Sequence, residues 1–453
     1  MDVLDQSILV VGLGRSGMSV ARWLAKEGGR VTLSEVKAET EIDKASVEDM
    51  RRLDVTLETG GHREETFLSA DLIILSPGVP LDMPLLRAAK EKGIPILGEM
   101  ELAAQQVTAP IVAVTGTNGK STATAFLGAM VEKAGLKGFV GGNIGTPLSD
   151  FVASREQTDV VVVEVSSFQL DTMENFSPSI ALVLNVSPDH LDRYPSYEVY
   201  VQSKLRIFRN QGRGDVAIIN DDDVVLSDFV PSGEALVLRY GVEKRKNRHA
   251  FIEGKRIMAA LPGGGTQPFD LERCALPGRH NWENLMGAVL AGLALKVEPS
   301  VIQETMDGFR GLPHRLELVA RIEGVDFYND SKATNVEAAA RSVASFDRPV
   351  VLIAGGRHKG ADYAPLVKVA KGRVKKAVLL GESKHLLAQA FEKTIPFCMA
   401  DTMAEAVPQA FAAARPEEVV LLAPACSSFD MFLDYAERGV AFREAVKGLG
   451  HER

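Results

Sequence analysis

The chain has 453 residues, which at about 150 residues per domain predicts three domains. Hydrophobic residues make up 46% and charged residues 25%, so there is material for several cores and disorder as the main state is excluded. With 51 Lys and Arg against 60 Asp and Glu the net charge is −9, which argues against a general nucleic-acid coat, because phosphate is repelled unless basic residues are gathered locally. Cys274, Cys398 and Cys426 are odd in number and far apart, fitting neither a disulfide framework nor a metal-ligand spacing, so a reducing compartment is expected. The start, MDVLDQSILVVGLG, lacks the basic region and cleavage site of a signal peptide, and no apolar run approaches the roughly 18 residues of a membrane span. These features predict a soluble, cytoplasmic α/β protein.

Short β-branched runs alternate with Ala/Leu-rich helical stretches almost throughout, the pattern of parallel sheets with crossover helices. The first block, residues 1–98, holds expected strands at Ile8–Val11, Val31–Ser34, Leu72–Leu75 and Ile94–Leu97 and reads as a Rossmann-like domain. Its first strand runs into Gly12-Leu13-Gly14-Arg15-Ser16-Gly17, and Glu35 closes the next strand about twenty residues on, as in a dinucleotide-binding fingerprint. A tight βα turn would use the same glycines, so the pattern points to a diphosphate-bearing ligand without implying hydride transfer. Ser76-Pro77-Gly78 forms a second turn after Leu72–Leu75.

The second block, residues 99–311, holds expected strands at Ile111–Thr115, Val160–Val165, Ile180–Asn185 and Val216–Asn220. The first of these leads into Gly116-Thr117-Asn118-Gly119-Lys120-Ser121-Thr122 and then a helix over Ala123–Ala134. Freed N–H groups at the helix start make an anion site, and two glycines let the backbone approach phosphate. Lys120 reaches β/γ-phosphates in such a loop, and the Ser121 hydroxyl holds Mg²⁺. Val114 stands where the usual phosphate loop has its first glycine, so this is a variant. Glu164 follows four valines, where a lone carboxylate is costly and Mg²⁺ would offset it. His190 follows the third strand on the same sheet edge and is a candidate metal ligand or substrate contact, whereas Lys204 reads as an ordinary helix lysine. A polar, Gly-rich stretch from Glu243 to Gly278, with a turn at Pro262-Gly263-Gly264-Gly265, predicts hairpins, and a helix is expected over Asn281–Lys296. The third block, residues 312–453, holds strands at Val350–Ala354, Lys376–Leu380 and Val419–Leu422. Nucleotide-type turns on two separate blocks favour a transferase or ligase over a simple dehydrogenase.

Six segments occur together in order: Gly116 to Thr122, Glu164-Val165-Ser166-Ser167-Phe168-Gln169-Leu170, Asp189-His190-Leu191-Asp192-Arg193-Tyr194, His280-Asn281-x-x-Asn284, Pro313-His314-Arg315 and Asn329-Asp330-Ser331-Lys332-Ala333-Thr334-Asn335. The set resembles the Mur ligase family, over essentially the whole chain from Gly12 to about Gly439. The segments at Glu164 and Asn329, with Ala423-Pro424-Ala425-Cys426-Ser427-Ser428-Phe429-Asp430, look like the branch that adds D-glutamate, and the Asp-Asn-Pro-Arg motif of the branch adding a diamino acid is absent.

The resemblance implies a UDP-sugar-binding domain over 1–98, a central P-loop ATPase-type domain with a mainly parallel sheet over 99–311, and a Rossmann-like amino-acid-binding domain over 312–453. It implies that Gly14, Arg15, Ser16, Glu35 and Gly78 contact the UDP portion, with Asn143, Gln169 and His190 at the sugar–peptide end. ATP would be held by Gly116, Thr117, Asn118, Gly119, Lys120, Ser121, Thr122, Asn281, Asn284, Arg315 and Asp330. One Mg²⁺ would sit on Ser121 and Glu164, and a second on His190 and Lys204, the lysine having reacted with CO₂ to give an anionic carbamate whose oxygens suit Mg²⁺. Lys332, Thr334, Lys359, Ser428 and Phe429 would form the D-glutamate pocket, for which Lys359 also has a direct reason, since a dicarboxylate needs fixed cations. Tyr435 stands where the family pattern has an apolar aromatic. Lys120, His190, Lys204, Arg315 and Lys332 are the implied catalytic set.

The implied reaction joins UDP-N-acetylmuramoyl-L-alanine to D-glutamate through an acyl phosphate, with small-molecule partners, no nucleic acid, no membrane span, and a monomer as the default state. Three other readings make different demands. A ligase of the same architecture adding glutamate to folate would ignore the UDP sugar. An NAD(P)-dependent oxidoreductase built on Gly12–Gly17 leaves Lys120 and Glu164 without a role. A non-enzymatic P-loop switch leaves the polar segments of the third block without one.

Overall fold

The computed structural model describes residues 3–190, 193–276 and 278–449, so Leu191 and Asp192 of the His190 motif lie outside the described residues. Three sheets follow one another along the chain. The first is wholly parallel, built of β1 (Ser7–Val11), β2 (Arg30–Glu35), β3 (Thr56–Thr59), β4 (Leu72–Leu75) and β5 (Ile96–Gly98) in the order β3-β2-β1-β4-β5. The second comprises β6 (Ile111–Thr115), β7 (Gly138–Gly142), β8 (Val160–Glu164), β9 (Ile180–Val183), β10 (Val216–Asn220), β11 (Leu236–Tyr240), β12 (Ala250–Glu253), β13 (Arg256–Ala259) and β14 (Gln267–Asp270). Its order is β14-β13-β12-β11-β10-β9-β6-β8-β7, parallel from β7 to β12, with β12 and β13 an antiparallel hairpin.

The third sheet is formed by β15 (Glu317–Ile322), β16 (Val325–Asn329), β17 (Val350–Gly355), β18 (Val374–Leu380), β19 (Phe397–Met399) and β20 (Val419–Leu422), in the order β15-β16-β20-β17-β18-β19. All its neighbours are parallel except the β15–β16 hairpin. The chain forms two compact units: one runs to Phe269 and takes in Leu285–Thr305, and the other holds Asp270–Asn284 and the chain from Met306. The first two sheets thus share one unit, and the third sheet belongs to the other.

The mixed α/β architecture with mainly parallel sheets is the one the sequence predicts. Strands covered by helices on both faces are apolar runs without alternation, and Val160–Val163, Val112–Val114 and Leu352–Ala354 are fully buried. Each such valine contributes about 1.5–3 kcal/mol on burial. Expected element ends shift by a few residues: the strand expected from Ile94 begins at Ile96, and the helices expected over Ala123–Ala134 and Asn281–Lys296 cover Lys120–Lys133 and Arg279–Ala294. The Gly-rich stretch after Glu243 does hold the β12–β13 hairpin, with a turn before β14.

Strands β3, β7, β11, β15, β16 and β19 are not evident in the sequence. β3 and β15 are half-exposed edge strands, and β7 is rich in glycine. The buried β16 carries Asp326, which breaks the apolar run but is bound by the guanidinium groups of Arg321 at 2.5 Å and Arg348 at 2.8 Å.

In the first sheet β1 lies between β2 and β4, so the loop after β1 opens at a topological switch point. Gly12 holds that loop with φ +93°, and Ser76 Oγ donates to its carbonyl at 2.8 Å. Gly17 lies on the helix Arg15–Lys26, where a Cβ would be driven into the Gly12 carbonyl oxygen and Ser76 Oγ. Gly17→Ala is therefore expected to destabilise the protein by about 1–3 kcal/mol. A melting temperature equal to that of the parent chain would contradict this.

Candidate active site

In the second sheet β6 has β8 on one side and β9 on the other, so the segment after β6 also emerges at a switch point, where open α/β sheets bind ligands. Gly116 has φ +149° and Gly119 φ +86°. A Cβ at Gly116 would also press on Leu184 Cβ at 3.1 Å and on the Asn185 backbone at 3.3 Å. Asn185, just past β9, braces the loop: its carbonyl accepts from Thr117 N (2.9 Å), its Oδ1 accepts from Asn118 N (2.9 Å), and its Nδ2 donates to Asn118 O (3.0 Å). The loop feeds the helix Lys120–Lys133, whose first N–H groups have no intrahelical acceptor and favour an anion. Lys120 Nζ folds back onto Gly116 O (2.8 Å) and Thr117 O (3.0 Å). Asn118 Nδ2 and Ser187 Oγ are buried beside this loop without a hydrogen-bond partner, a deficit that suits a polyoxygenated ligand.

Glu164 ends β8 and is only 2% exposed. Ser121 Oγ donates to its Oε2 at 2.5 Å and Asn143 Nδ2 to its Oε1 at 2.7 Å. A hydroxyl and a carboxylate are hard oxygen donors of the kind Mg²⁺ takes, the rest of its shell coming from phosphate and water. Among the described residues no three His, Cys, Asp or Glu gather as a metal site.

Lys204 lies on the helix Tyr197–Leu205, 2% exposed, with Nζ donating to Gly116 O at 3.0 Å and standing 4.7 Å from the Tyr200 ring centre. Burial, and then the charge of Lys120, push its ammonium well below the usual lysine range. It is thus a hidden amine beside the phosphate loop and not the surface lysine its helix suggests. His190 adopts φ +52°, and its ring lies 4.9 Å from Phe168 and 6.4 Å from Tyr200. Tyr200, with its hydroxyl 3.1 Å from Thr117 Oγ1, therefore has His190 and Lys204 about its ring. Arg193 stacks over Phe168 at 4.8 Å and donates to Gly78 O at 2.9 Å, tying this region to the first sheet.

Gly14, Arg15, Ser16, Glu35 and Gly78 all stand at the carboxyl edge of the first sheet. A Cβ at Gly14 or Gly78 would touch nothing, so packing within the protein does not call for either glycine. Glu35 accepts from Leu13 N (2.8 Å) and Lys37 N (3.1 Å), and Arg15 donates to Gly145 O at 2.8 Å. Gln169 spends its Oε1 on Ser166 N and Oγ, both at 2.9 Å, in a capping box.

In the other unit, residues after β16, β17 and β20 meet at one sheet edge. Arg315 lies between His314 and Leu316, at φ +62° and +45°. His314 Nδ1 is 3.0 Å from Asn329 Nδ2, which also donates to Gly439 O at 3.0 Å. Asp330 accepts from Ser342 Oγ and from Leu316 N at 3.3 Å, and burial pushes its carboxyl up to about 6. Lys332 Nζ lies 3.7 Å from the Tyr435 ring centre, a cation–π contact that this tyrosine supplies as well as an apolar ring would. Thr334 follows, with its N–H on Lys332 O at 2.7 Å. Lys359 is exposed on the segment after β17, Ser428 is buried and Phe429 is 62% exposed. Asn281 and Asn284 are buried on the helix Arg279–Ala294.

Two residues at this edge and the phosphate loop escape sequence reasoning. Asn185 is the brace of the phosphate loop, although it stands in the sequence as the last residue of an expected strand. Arg438, 2% exposed on the helix Tyr435–Gly448, donates to Ser331 O (2.9 Å), Ser331 Oγ (3.0 Å), Cys426 O (3.1 Å) and Ser427 O (3.2 Å), binding two of these segments together. On an amphipathic helix such an arginine has the pattern of a surface charge, so no signal marks it.

Known proteins share these features along the whole chain. Residues 6–98 match the family described as "Mur ligase MurD-like, N-terminal domain", residues 114–292 the "Mur ligase middle domain" and residues 314–426 the "Mur ligase, glutamate ligase domain". The UDP-N-acetylmuramoylalanine--D-glutamate ligase of Desulfosudis oleivorans is 45% identical over 98% of this chain and 97% of its own. That of Geotalea uraniireducens is 42% identical over 99% of both chains. Among solved structures, the UDP-N-acetylmuramate-alanine ligase of Thermotoga maritima aligns with TM-score 0.60 at 19% identity, over 98% of this chain and 100% of that one. A pseudomurein peptide ligase type C of Methanothermus fervidus aligns with TM-score 0.60 at 18% identity, over the same shares. These two likenesses concern the fold.

Asp330 gives a test of the buried edge by pH. Its folded pKa lies above the usual 3.8, so the folded state holds the proton more tightly, and the stability this gives at low pH is lost as pH rises from about 4 to 6. Asp330→Asn is expected to remove that pH dependence and to melt higher than the parent chain at pH 8. Parallel melting profiles of the two proteins across pH 4–8 would refute the assignment.

Proposed function

The chain belongs to the Mur ligase family, and we propose that it joins the carboxyl group of UDP-N-acetylmuramoyl-L-alanine to the amine of D-glutamate, at the expense of ATP, in peptidoglycan precursor synthesis. Near full-length identity to relatives bearing that name carries the reading. The phosphate loop and the cation-bearing edge of the third sheet supply chemistry suited to it.

A carboxylate is a poor acyl donor. Its oxygen attacks the ATP γ-phosphorus, ADP leaves, and the acyl phosphate now carries a good leaving group. The D-glutamate amine attacks that carbonyl, inorganic phosphate departs, and the amide remains once the nitrogen loses its proton. Gly116, Thr117, Asn118, Gly119 and Thr122 cradle the phosphates with backbone and hydroxyl groups, and Lys120 swings from the two loop carbonyls it now holds onto phosphate oxygens. Ser121 and Glu164 hold Mg²⁺, and Lys204 with His190 supports a second ion. Bound there, Mg²⁺ neutralises charge on the transferring phosphoryl group.

Lys204 suits carbamate formation because burial favours the neutral amine, whose lone pair adds to CO₂ with loss of one proton. Arg315 stabilises phosphoryl charge, Asp330 meets the ribose, and Asn281 and Asn284 meet the nucleotide. Gly14, Arg15, Ser16, Glu35 and Gly78 receive the UDP portion, with Asn143, Gln169 and His190 nearer the peptide. Lys332, Thr334, Lys359, Ser428 and Phe429 take D-glutamate, two lysines facing a dicarboxylate. Residues 1–98, 99–311 and 312–453 divide the three ligands among them. All substrates are small molecules, and among the described residues no helix is long and apolar enough to cross a membrane. ATP as substrate places the reaction in the cytoplasm, and nothing in it requires a second copy of the chain.

With ATP and UDP-N-acetylmuramoyl-L-alanine fixed, phosphate release is expected with D-glutamate and at background with L-glutamate, L-alanine or no amino acid. Release indifferent to the amino acid would defeat the proposal. Lys204→Arg, which keeps a long basic side chain but forms no carbamate, is expected to lose at least about 100-fold in kcat, the scale of a lost electrostatic contribution at the transition state. Parent-like turnover by that variant would remove Lys204 from the mechanism.

A further inference from the structure

Lys359 sits on an exposed segment, residues 357–362, between β17 and the helix Ala364–Ala370. At its start Arg357 and Ser427 pair through their backbones, Arg357 N donating to Ser427 O at 2.9 Å and Ser427 N to Arg357 O at 3.2 Å. Past that bridge lie four exposed residues, Lys359 to Asp362, among them Gly360 at φ +79°. One buried group reaches back to the middle of this segment. Tyr363 is 6% exposed, and its hydroxyl lies 2.9 Å from His358 Nδ1 and 3.1 Å from Cys426 Sγ. Cys426 Sγ is itself 3.2 Å from Ser383 Oγ, in the turn after β18. The chain His358–Tyr363–Cys426–Ser383 thus links the turns after β17, β18 and β20, and the mechanism above uses none of the four.

We propose that the Tyr363 hydroxyl is a positioning group for the acceptor amino acid, holding His358 against the Cys426 segment so that Lys359 is fixed in place before D-glutamate arrives. The inference rests on the reading of Lys359 as a D-glutamate contact. Its physical basis is conformational: ordering a loop residue costs about 1–2 kcal/mol, and a loop ordered in advance spares the ligand that cost. Burial raises both the Tyr363 hydroxyl and the Cys426 thiol above their usual titration ranges, so both keep their protons at neutral pH and the link persists. Tyr363 touches no substrate atom, so its effect belongs to acceptor binding and not to the chemical step.

Tyr363→Phe removes one oxygen and keeps the ring that packs 5.4 Å from the His358 ring. The KM for D-glutamate is expected to rise five- to tenfold. The kcat and the KM values for ATP and the UDP substrate should stay within about twofold. His358→Leu breaks the same link from its more exposed end and should reproduce the shift should Tyr363→Phe fold poorly.

The double variant Tyr363→Phe/Lys359→Ala separates positioning from general destabilisation. In a Lys359→Ala background the hydroxyl should no longer matter, so the KM for D-glutamate should match that of Lys359→Ala alone. An unchanged KM in Tyr363→Phe and His358→Leu, or a further rise in the double variant, overturns the inference while leaving Lys359 in the pocket. A parent-like KM in Lys359→Ala overturns the reading of Lys359 itself, and the inference with it.

Discussion

The site depends first on a carboxylate with no cation of its own. Glu164 sits at the end of a strand of buried valines, and among the described residues its two oxygens accept from the Ser121 hydroxyl and the Asn143 amide. No basic side chain among the described residues forms an ion pair with it. Taking a carboxylate out of water costs several kcal/mol unless charge offsets it, and neutral donors offset only part. The arrangement is costly as it stands, and a divalent cation held by Glu164 and Ser121 would offset that cost. Glu164 and Ser121 thereby join the phosphate loop to the neighbouring strand β8.

The rest of the first unit keeps that point rigid. Asn185 closes three hydrogen bonds on the loop, Thr117 reaches Tyr200, and Lys204 and Lys120 both donate to the Gly116 carbonyl. Burial, and then the charge of Lys120 on the same carbonyl, lowers the proton affinity of Lys204. Two lysines that look alike in the sequence thus stand in different settings, Lys204 buried and Lys120 nearer solvent.

The sequence made the parallel strands, the phosphate loop and the carboxyl-edge segments legible because each follows from local pattern: a β-branched run, a glycine with positive φ, a hydroxyl at a helix start. Glu164 was legible for the same reason, as a charge at the end of an apolar run. The environment of Lys204 was not, since nothing in Tyr197–Leu205 shows which face of the helix is buried against the loop. Asn185, Arg438 and Tyr363 were hidden for a related reason. Their partners lie on other strands' turns, up to about a hundred residues away in the chain, and only the parallel topology brings those turns to one edge. The short or polar strands β3, β7 and β15 were missed because edges and glycine-rich runs lack the apolar signature of central strands.

Arg438 and Lys204 show how position alone sets what a buried base does. Both are 2% exposed, and burial lowers the proton affinity of each, Arg438 to about 10. Arg438 still keeps its proton at neutral pH, because a guanidinium starts so high and because Ser331, Cys426 and Ser427 satisfy its N–H groups with carbonyl and hydroxyl oxygens. It forms no ion pair among the described residues, but the nearby Asp430 carboxylate favours its charge, which lies beneath the turns that carry Lys332 and Ser428. A lysine in the same place would have three donors for these acceptors and would shed its proton more easily. An arginine there keeps a positive charge beneath this edge at neutral pH, inside a protein whose net charge is −9.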